Sequence, residues 1–101
     1  MDLSQGDIVR IDGYRQNVLV ISKNAFIRST GMVHVCPFFK TIAEGPLHIA
    51  AKGIAGTVGV AAAEQIKLID PAARNIRKTD RLQYADIMEI SDAVHGIFEY
   101  D

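Results

Sequence analysis

The chain has 101 residues, of which 49% are hydrophobic and 23% charged, and a formal net charge of −1. Units much below ~50 residues rarely fold unaided, so one domain over residues 1–101 is expected and a second independent core is excluded. The ordinary composition excludes wholesale disorder, and the single cysteine, Cys36, excludes an internal disulfide framework and a multi-cysteine zinc site.

Short strands dominate the first two-thirds. Asp7 to Asp12 sets Ile8, Val9 and Ile11 among charges, and Gly13 to Asn17 reads as a turn. Val18 to Ser22 is an unbroken apolar run, the pattern of a central strand buried on both faces. Lys23 to Gly31 is polar and small, a loop or one helical turn. Met32 to Pro37 alternates, with Met32, His34 and Cys36 on one face and Val33 and Val35 on the other. Glu44-Gly45-Pro46 marks a turn before Leu47 to Ala50, and Gly53 and Gly56 bracket another. Thr57 to Ala62 and Gln65 to Ile69 complete about six strands in a range of five to seven. Strands this short and regularly spaced predict a mainly β fold, a small barrel or a strongly curled sheet.

The last third changes period. Asp70-Pro71 opens a short helix through Arg74, with aspartate as cap and proline at the first helical position. Arg74, Arg77, Lys78 and Arg81 form a basic linker, and no Lys or Arg follows them. Tyr84, Ile87, Met88, Ser91 and Val94 lie three or four apart, which predicts a helix over about residues 80–95, capped by Thr79 or Asp80 and stopped by Gly96. Ile97, Phe98 and Tyr100 give an apolar tail. That tail and the small-residue strand from Val58 to Ala63 are the surfaces expected to join two copies in a symmetric dimer.

Net charge near neutrality excludes a strongly basic nucleic-acid binder but leaves room for a local basic patch. The start Met-Asp-Leu-Ser-Gln-Gly-Asp has no apolar core, so no export signal is expected. Gly53 to Ala63, the longest mainly apolar stretch, is too short for a span of ~20 helical residues. A cytoplasmic location without membrane contact follows as the expectation. The repeated Gly53, Gly56 and Gly59 match neither a dinucleotide fingerprint nor a P-loop. His34, His48 and His95 form no close pair, and neither metal nor cofactor is expected. Cys36 reads as a small buried hydrophobe, and His34 as a buried histidine or a general acid or base.

Seven local signatures occur in order: Gln5 to Val9 (QGDIV), Val18 to Ser22 (VLVIS), Asn24-Ala25-Phe26, Thr30 to Pro37 (TGMVHVCP), Gly45 to Ile49 (GPLHI), Glu64 to Asp70 (EQIKLID), and Arg74. From about residue 5 onward the chain thereby resembles the MazF/PemK family of toxin–antitoxin ribonucleases. The resemblance implies a small, SH3-like curled β-barrel with a C-terminal α-helix, shared with the gyrase poison CcdB, a homodimer crossed by single-stranded RNA, and an acidic, flexible antitoxin as protein partner. It also implies metal-independent endoribonuclease activity, in which a ribose 2′-OH attacks the adjacent phosphorus and leaves a 2′,3′-cyclic phosphate. Such chemistry needs a base, an acid and a donor to the developing phosphorane.

Carried onto this chain, the family's arginine falls near Gln16 and Asn17, with Arg15 one residue early, in a turn shorter than the family's loop. A one-residue bulge restores Arg15. The family's hydroxyl position holds Phe39, and Thr41 stands one pleat along. Glu64-Gln65 matches an acid–glutamine pair, with Ala62 where a basic partner is common, and Asp70 and Arg74 match a capping and ion-pair element. The candidate catalytic residues are therefore Arg15, Thr41, His34 and Glu64, and the candidate RNA-binding residues are Lys23, Asn24, Lys40 and Gln65. Arg15, Lys23 and Lys40 are expected on one surface. The alternatives are a catalytically degenerate member that binds nucleic acid (RNA or DNA) or antitoxin, and a CcdB-like topoisomerase poison.

Overall fold

A computed structural model describes residues 2–98. Seven strands, β1 (Asp7–Ile11), β2 (Asn17–Val20), β3 (Val33–Phe39), β4 (His48–Lys52), β5 (Val58–Ala62), β6 (Lys67–Ile69) and β7 (Ile76–Arg81), form one antiparallel sheet. The order is β4-β5-β3-β2-β1-β7, with β6 also on β3. Among the described residues, two α-helices, α1 (Asn24–Thr30) and α2 (Tyr84–Ile97), complete the fold.

β2 lies between β1 and β3, as its unbroken apolar run predicts. Val18 and Val20 enter a core with Val9, Val33, Val35 and Ile69, whereas Leu19 joins Ile8, Cys36, Phe38 and Leu82 on the opposite face. Each such side chain contributes about 1.5–3 kcal/mol on burial. α2 covers the second face through Ile90 and Ile87, and Ile27 of α1 packs on the first. Gly31 ends α1 at φ 73°, where its N–H reaches the Ile27 carbonyl at 2.8 Å; a left-handed residue here favours glycine.

No continuous ladder closes the curled sheet. Its two ends meet at a single bridge, Gly53 to Leu82, where the Ile54 N–H donates to the Arg81 carbonyl at 2.8 Å. The Asp80 carboxylate accepts from the N–H groups of Ala55 (2.9 Å), Thr57 (3.0 Å) and Arg81 (2.7 Å). A Cβ on residue 53 would collide with that carboxylate, so Gly53 permits the approach. Burial opposes ionisation of Asp80, but the hydrogen bonds from Ala55, Thr57 and Arg81 outweigh it and pull the carboxyl down to about 2. Its contribution is therefore full above the ordinary value of 3.8 and is lost as pH falls towards 2. Asp80→Ala is expected to cost about 1–2 kcal/mol at neutral pH and to flatten the loss of stability between those two pH values. Melting curves across that range check it.

Several expectations change. The basic linker is β7, an edge strand on β1 that buries Ile76, while Thr79 and Asp80 hold the sheet instead of capping a helix. α2 starts after Gln83 and runs through Gly96. Tyr84 and Met88 are exposed, and Ile90, outside the expected stripe, is the buried residue of α2. Val60 to Ala63 are buried within the chain and so do not form a dimer surface, whereas Val58 is exposed. Asp70 caps a single 3-10 turn, Pro71–Ala73, as expected. Arg74 lies 6.0 Å over the Tyr14 ring rather than pairing with Asp70. Of the tail, Ile97 and Phe98 are exposed and Tyr100 lies outside the described residues. No described helix is long and apolar enough to cross a membrane.

Candidate active site

β3 is the axis of the site. One edge pairs with β2 from Val35 to Phe38, and the other changes partner, from β6 at Val33 to Val35 to β5 at Phe38 and Phe39. Pro37 falls in the gap and has no N–H to offer a ladder. The segment 63–66 crosses this gap, so Glu64 and Gln65 are presented where the sheet edge opens.

Beside the gap is a groove of about 310 Å³ lined by Tyr14, Pro37, Gln65 and Lys67. The Lys67 ammonium sits 5.5 Å over the Tyr14 ring, a cation–π contact. The Tyr14 hydroxyl is buried and has no hydrogen-bond partner among the described residues. Arg15, next in the β1–β2 turn, has an exposed side chain, while its backbone carbonyl accepts from Arg10 Nη1 at 3.0 Å. The short turn therefore sets Arg15 next in the chain to Tyr14, which lines the groove that holds Gln65.

At the outer end of the gap, His48 pairs in register with Ala62, which brings its ring to Glu64. His48 Nε2 lies 2.8 Å from Glu64 Oε2, and Nδ1 lies 2.9 Å from the Ala43 carbonyl. Both neighbours only accept, so both ring nitrogens must donate and the geometry selects the imidazolium. The Glu64 hydrogen bond, then that to Ala43, raises the His48 pKa, and the bond to His48 lowers that of Glu64.

The sign is opposite for the two groups. The His48 contribution is full below 6.5 and fades as pH rises through its raised pKa; that of Glu64 is full above 4.5 and fades as pH falls through its lowered one. The clasp on the loop of residues 41–47 is thus complete between pH 4.5 and 6.5. Glu64→Gln is expected to return the His48 titration, followed by NMR, towards 6.5. An unmoved titration would remove Glu64 as the cause.

The other candidates are scattered. Thr41 is exposed in the loop that His48 clasps through Ala43. Lys40 lines a separate groove of about 460 Å³ with Lys52, Val58 and Asp86. Lys23 and Asn24 lie at the far end of β2, where Asn24 Oδ1 accepts from the Gln5 N–H at 2.7 Å. The register thus separates Lys23 from Arg15. His34, at the same far end, is half-buried with its ring centroid 4.9 Å from Phe26, a packing position on α1. Cys36 is fully buried, and burial, then the Glu64 charge, pushes its thiol up to about 12. Among the described residues no three His, Cys, Asp or Glu side chains gather as a metal-binding group. Sequence reasoning missed His48, whose signal was a polar ring in a strand just after a turn, and also Tyr14 and Lys67.

Comparison with known proteins matches the chain to one family. The model for PemK-like, MazF-like toxins of type II toxin–antitoxin systems matches residues 4–98. No curated protein sequence matches the chain. Among solved structures, a MazE–MazF complex from Deinococcus radiodurans is similar at TM-score 0.83 and 19% identity, covering 100% of this chain and 99% of the other. An endoribonuclease with its cognate antitoxin from a mycobacterial species is similar at TM-score 0.80 and 21% identity, covering 99% and 100%. These likenesses carry the fold, and the match over residues 4–98 carries the membership: the chain belongs to the family of PemK-like, MazF-like toxins of type II toxin–antitoxin systems.

Proposed function

We propose that the chain is an endoribonuclease that cleaves single-stranded RNA with its own side chains. The observation that carries the reading is the accessible His48–Glu64 pair, 2.8 Å apart, with Glu64 next in the chain to Gln65 of the groove wall. Glu64 takes the proton of the ribose 2′-OH as O2′ bonds to phosphorus. The bond from phosphorus to O5′ breaks, and the His48 imidazolium gives its Nε2 proton to the departing O5′. The products are a 2′,3′-cyclic phosphate and a 5′-hydroxyl. The hydrogen bond between Glu64 and His48 then passes the proton back and restores the pair. Arg15 neutralises the phosphorane, and the Thr41 hydroxyl donates to a non-bridging oxygen. Gln65 and Lys67 hold the strand in the groove, and Lys40 and Lys52 serve backbone phosphates beyond it.

The partners follow from the same reading. The related toxins cited above were solved with antitoxins, so a protein antitoxin is expected to occlude this groove. Exposed Ile54, Val58, Tyr84, Met88 and Phe98 supply apolar surface for a second copy. The location is read as cytoplasmic, where RNA is met.

Incubation of antitoxin-free protein with mixed-sequence RNA in EDTA is the test. Fragments ending in cyclic phosphate are expected, with a rate that declines when His48 is replaced by alanine. A folded protein that leaves every RNA intact would favour the degenerate binder.

A further inference from the structure

Arg10 of β1 and Arg77 of β7 are directly opposed in the antiparallel ladder, between the bulge at Val9 and the inward pair Ile11–Ile76. Paired residues on adjacent strands point to the same face, and like charges so placed destabilise a sheet. Neither arginine forms an ion pair with a described carboxylate; the acids of β1 and β7 are engaged elsewhere. Asp7 takes Lys78 and Arg81, each at 3.4 Å. Asp12, the one acid in the cleft, accepts from Asn75 Nδ2 at 2.9 Å. Arg10 is fixed in place, because its two terminal nitrogens donate to the Arg15 and Tyr14 carbonyls at 3.0 and 3.4 Å.

Between the two arginines lies an open cleft of about 270 Å³, walled by Asp12, Tyr14 and Asn75. Tyr14 also walls the groove of the candidate active site. The cleft and the groove therefore share Tyr14, and Arg15 is the next residue of the same turn.

We propose that the Arg10–Arg77 cleft is a second phosphate subsite, which holds a phosphodiester of the RNA strand on the far side of Tyr14 from the cleaved bond. This rests on the endoribonuclease reading above. Guanidinium forks suit a phosphate's oxygens, and a bound phosphate relieves the repulsion that the bare ladder carries. The cleft is polar, which suits a strand's backbone rather than its bases.

Arg77 is the residue to change, since Arg10 also supports the turn that carries Arg15. The probe is a fluorescein-labelled, 2′-O-methylated oligoribonucleotide, which lacks the attacking hydroxyl, titrated by anisotropy between about 50 and 200 mM salt. Arg77→Ala is expected to weaken binding and to make the slope of log K against log salt shallower by about 0.7, the value for one lost single-strand phosphate contact. Arg28→Ala, the same charge loss on α1, is expected to leave that slope unchanged. Equal effects of the two variants would mean diffuse attraction and overturn the subsite. So would an unchanged Arg77→Ala, while cleavage by the wild type would leave the endoribonuclease reading standing. Normal RNA binding with lost affinity for polyglutamate would assign the cleft to a protein partner and overturn it as well. A wild type that neither binds nor cleaves RNA would remove both readings.

Discussion

Arg15→Ala is expected to slow RNA cleavage by about 10²–10³-fold, the usual effect of removing one preorganised transition-state donor. The fold should not change. The Arg15 side chain is exposed, and its one tertiary hydrogen bond uses the backbone carbonyl, which alanine retains. Arg15→Lys should recover only part of the rate, because an ammonium supplies charge without the planar fork. The measurement is a single-turnover rate on a saturating RNA, with melting temperature as the control. Near-wild-type cleavage by Arg15→Ala would show that the phosphorane is neutralised elsewhere, with Lys67 the cation that lines the groove.

The largest loss of stability is expected at Phe38. It is 1% exposed, pairs with Asn17 on one side and Ala61 on the other, and packs with Ile8, Leu19 and Leu82. Phe→Ala in such a core costs about 3–5 kcal/mol, against a total of about 5–15 for a domain. Phe38→Ala should therefore be marginally folded at 37 °C and should shift the urea midpoint by a large fraction of its value. Gly59→Ala tests the same packing from the opposite side. Its Cβ would stand 2.8 Å from the ring, inside van der Waals contact, with ring atoms as the neighbour that must move. If Phe38→Ala costs under about 1 kcal/mol, the second core does not depend on this ring. Loss of Phe38 also loosens the pairing that leads into Lys40 and Thr41, so cleavage should fall with stability.

The parts of the fold legible in the sequence are those whose pattern has one structural solution. Val18 to Val20 is apolar at every position because sheet cores lie on both sides. Asp70-Pro71 has one good use, and the chain makes it. β7 was hidden because an edge strand buries little: within it only Ile76 is buried, and the register shift opposite Ile8 and Val9 breaks the alternation. Its cations therefore read as solvated linker. α2 offers apolar residues on more than one side, and which side meets the sheet depends on where its N-terminus is anchored. Near that end, Leu82 bridges Gly53 and the Asp86 carboxylate accepts from the Lys52 N–H at 3.3 Å. The site divides in the same way. Arg15 and Gln65 come from the family resemblance, and the groove wall holds Gln65 and Tyr14, the residue before Arg15. His48 and Glu64 lie 16 residues apart and meet only through the β4–β5 register, which no local pattern encodes.

β1 and β7 are neighbours in the sheet although about seventy residues separate Asp7 and Ile8 from their partners Arg81 and Asp80. During synthesis, β1 therefore leaves the ribosome with one bare edge and keeps it until most of the chain has been made. Pairing across so long a loop is entropically slow. The bridge from Gly53 to Leu82 depends on that same late segment. A nascent chain of this toxin thus cannot complete its sheet ahead of its own translation, and a ribosome that stalls before β7 releases a fragment with an open strand edge rather than a finished toxin.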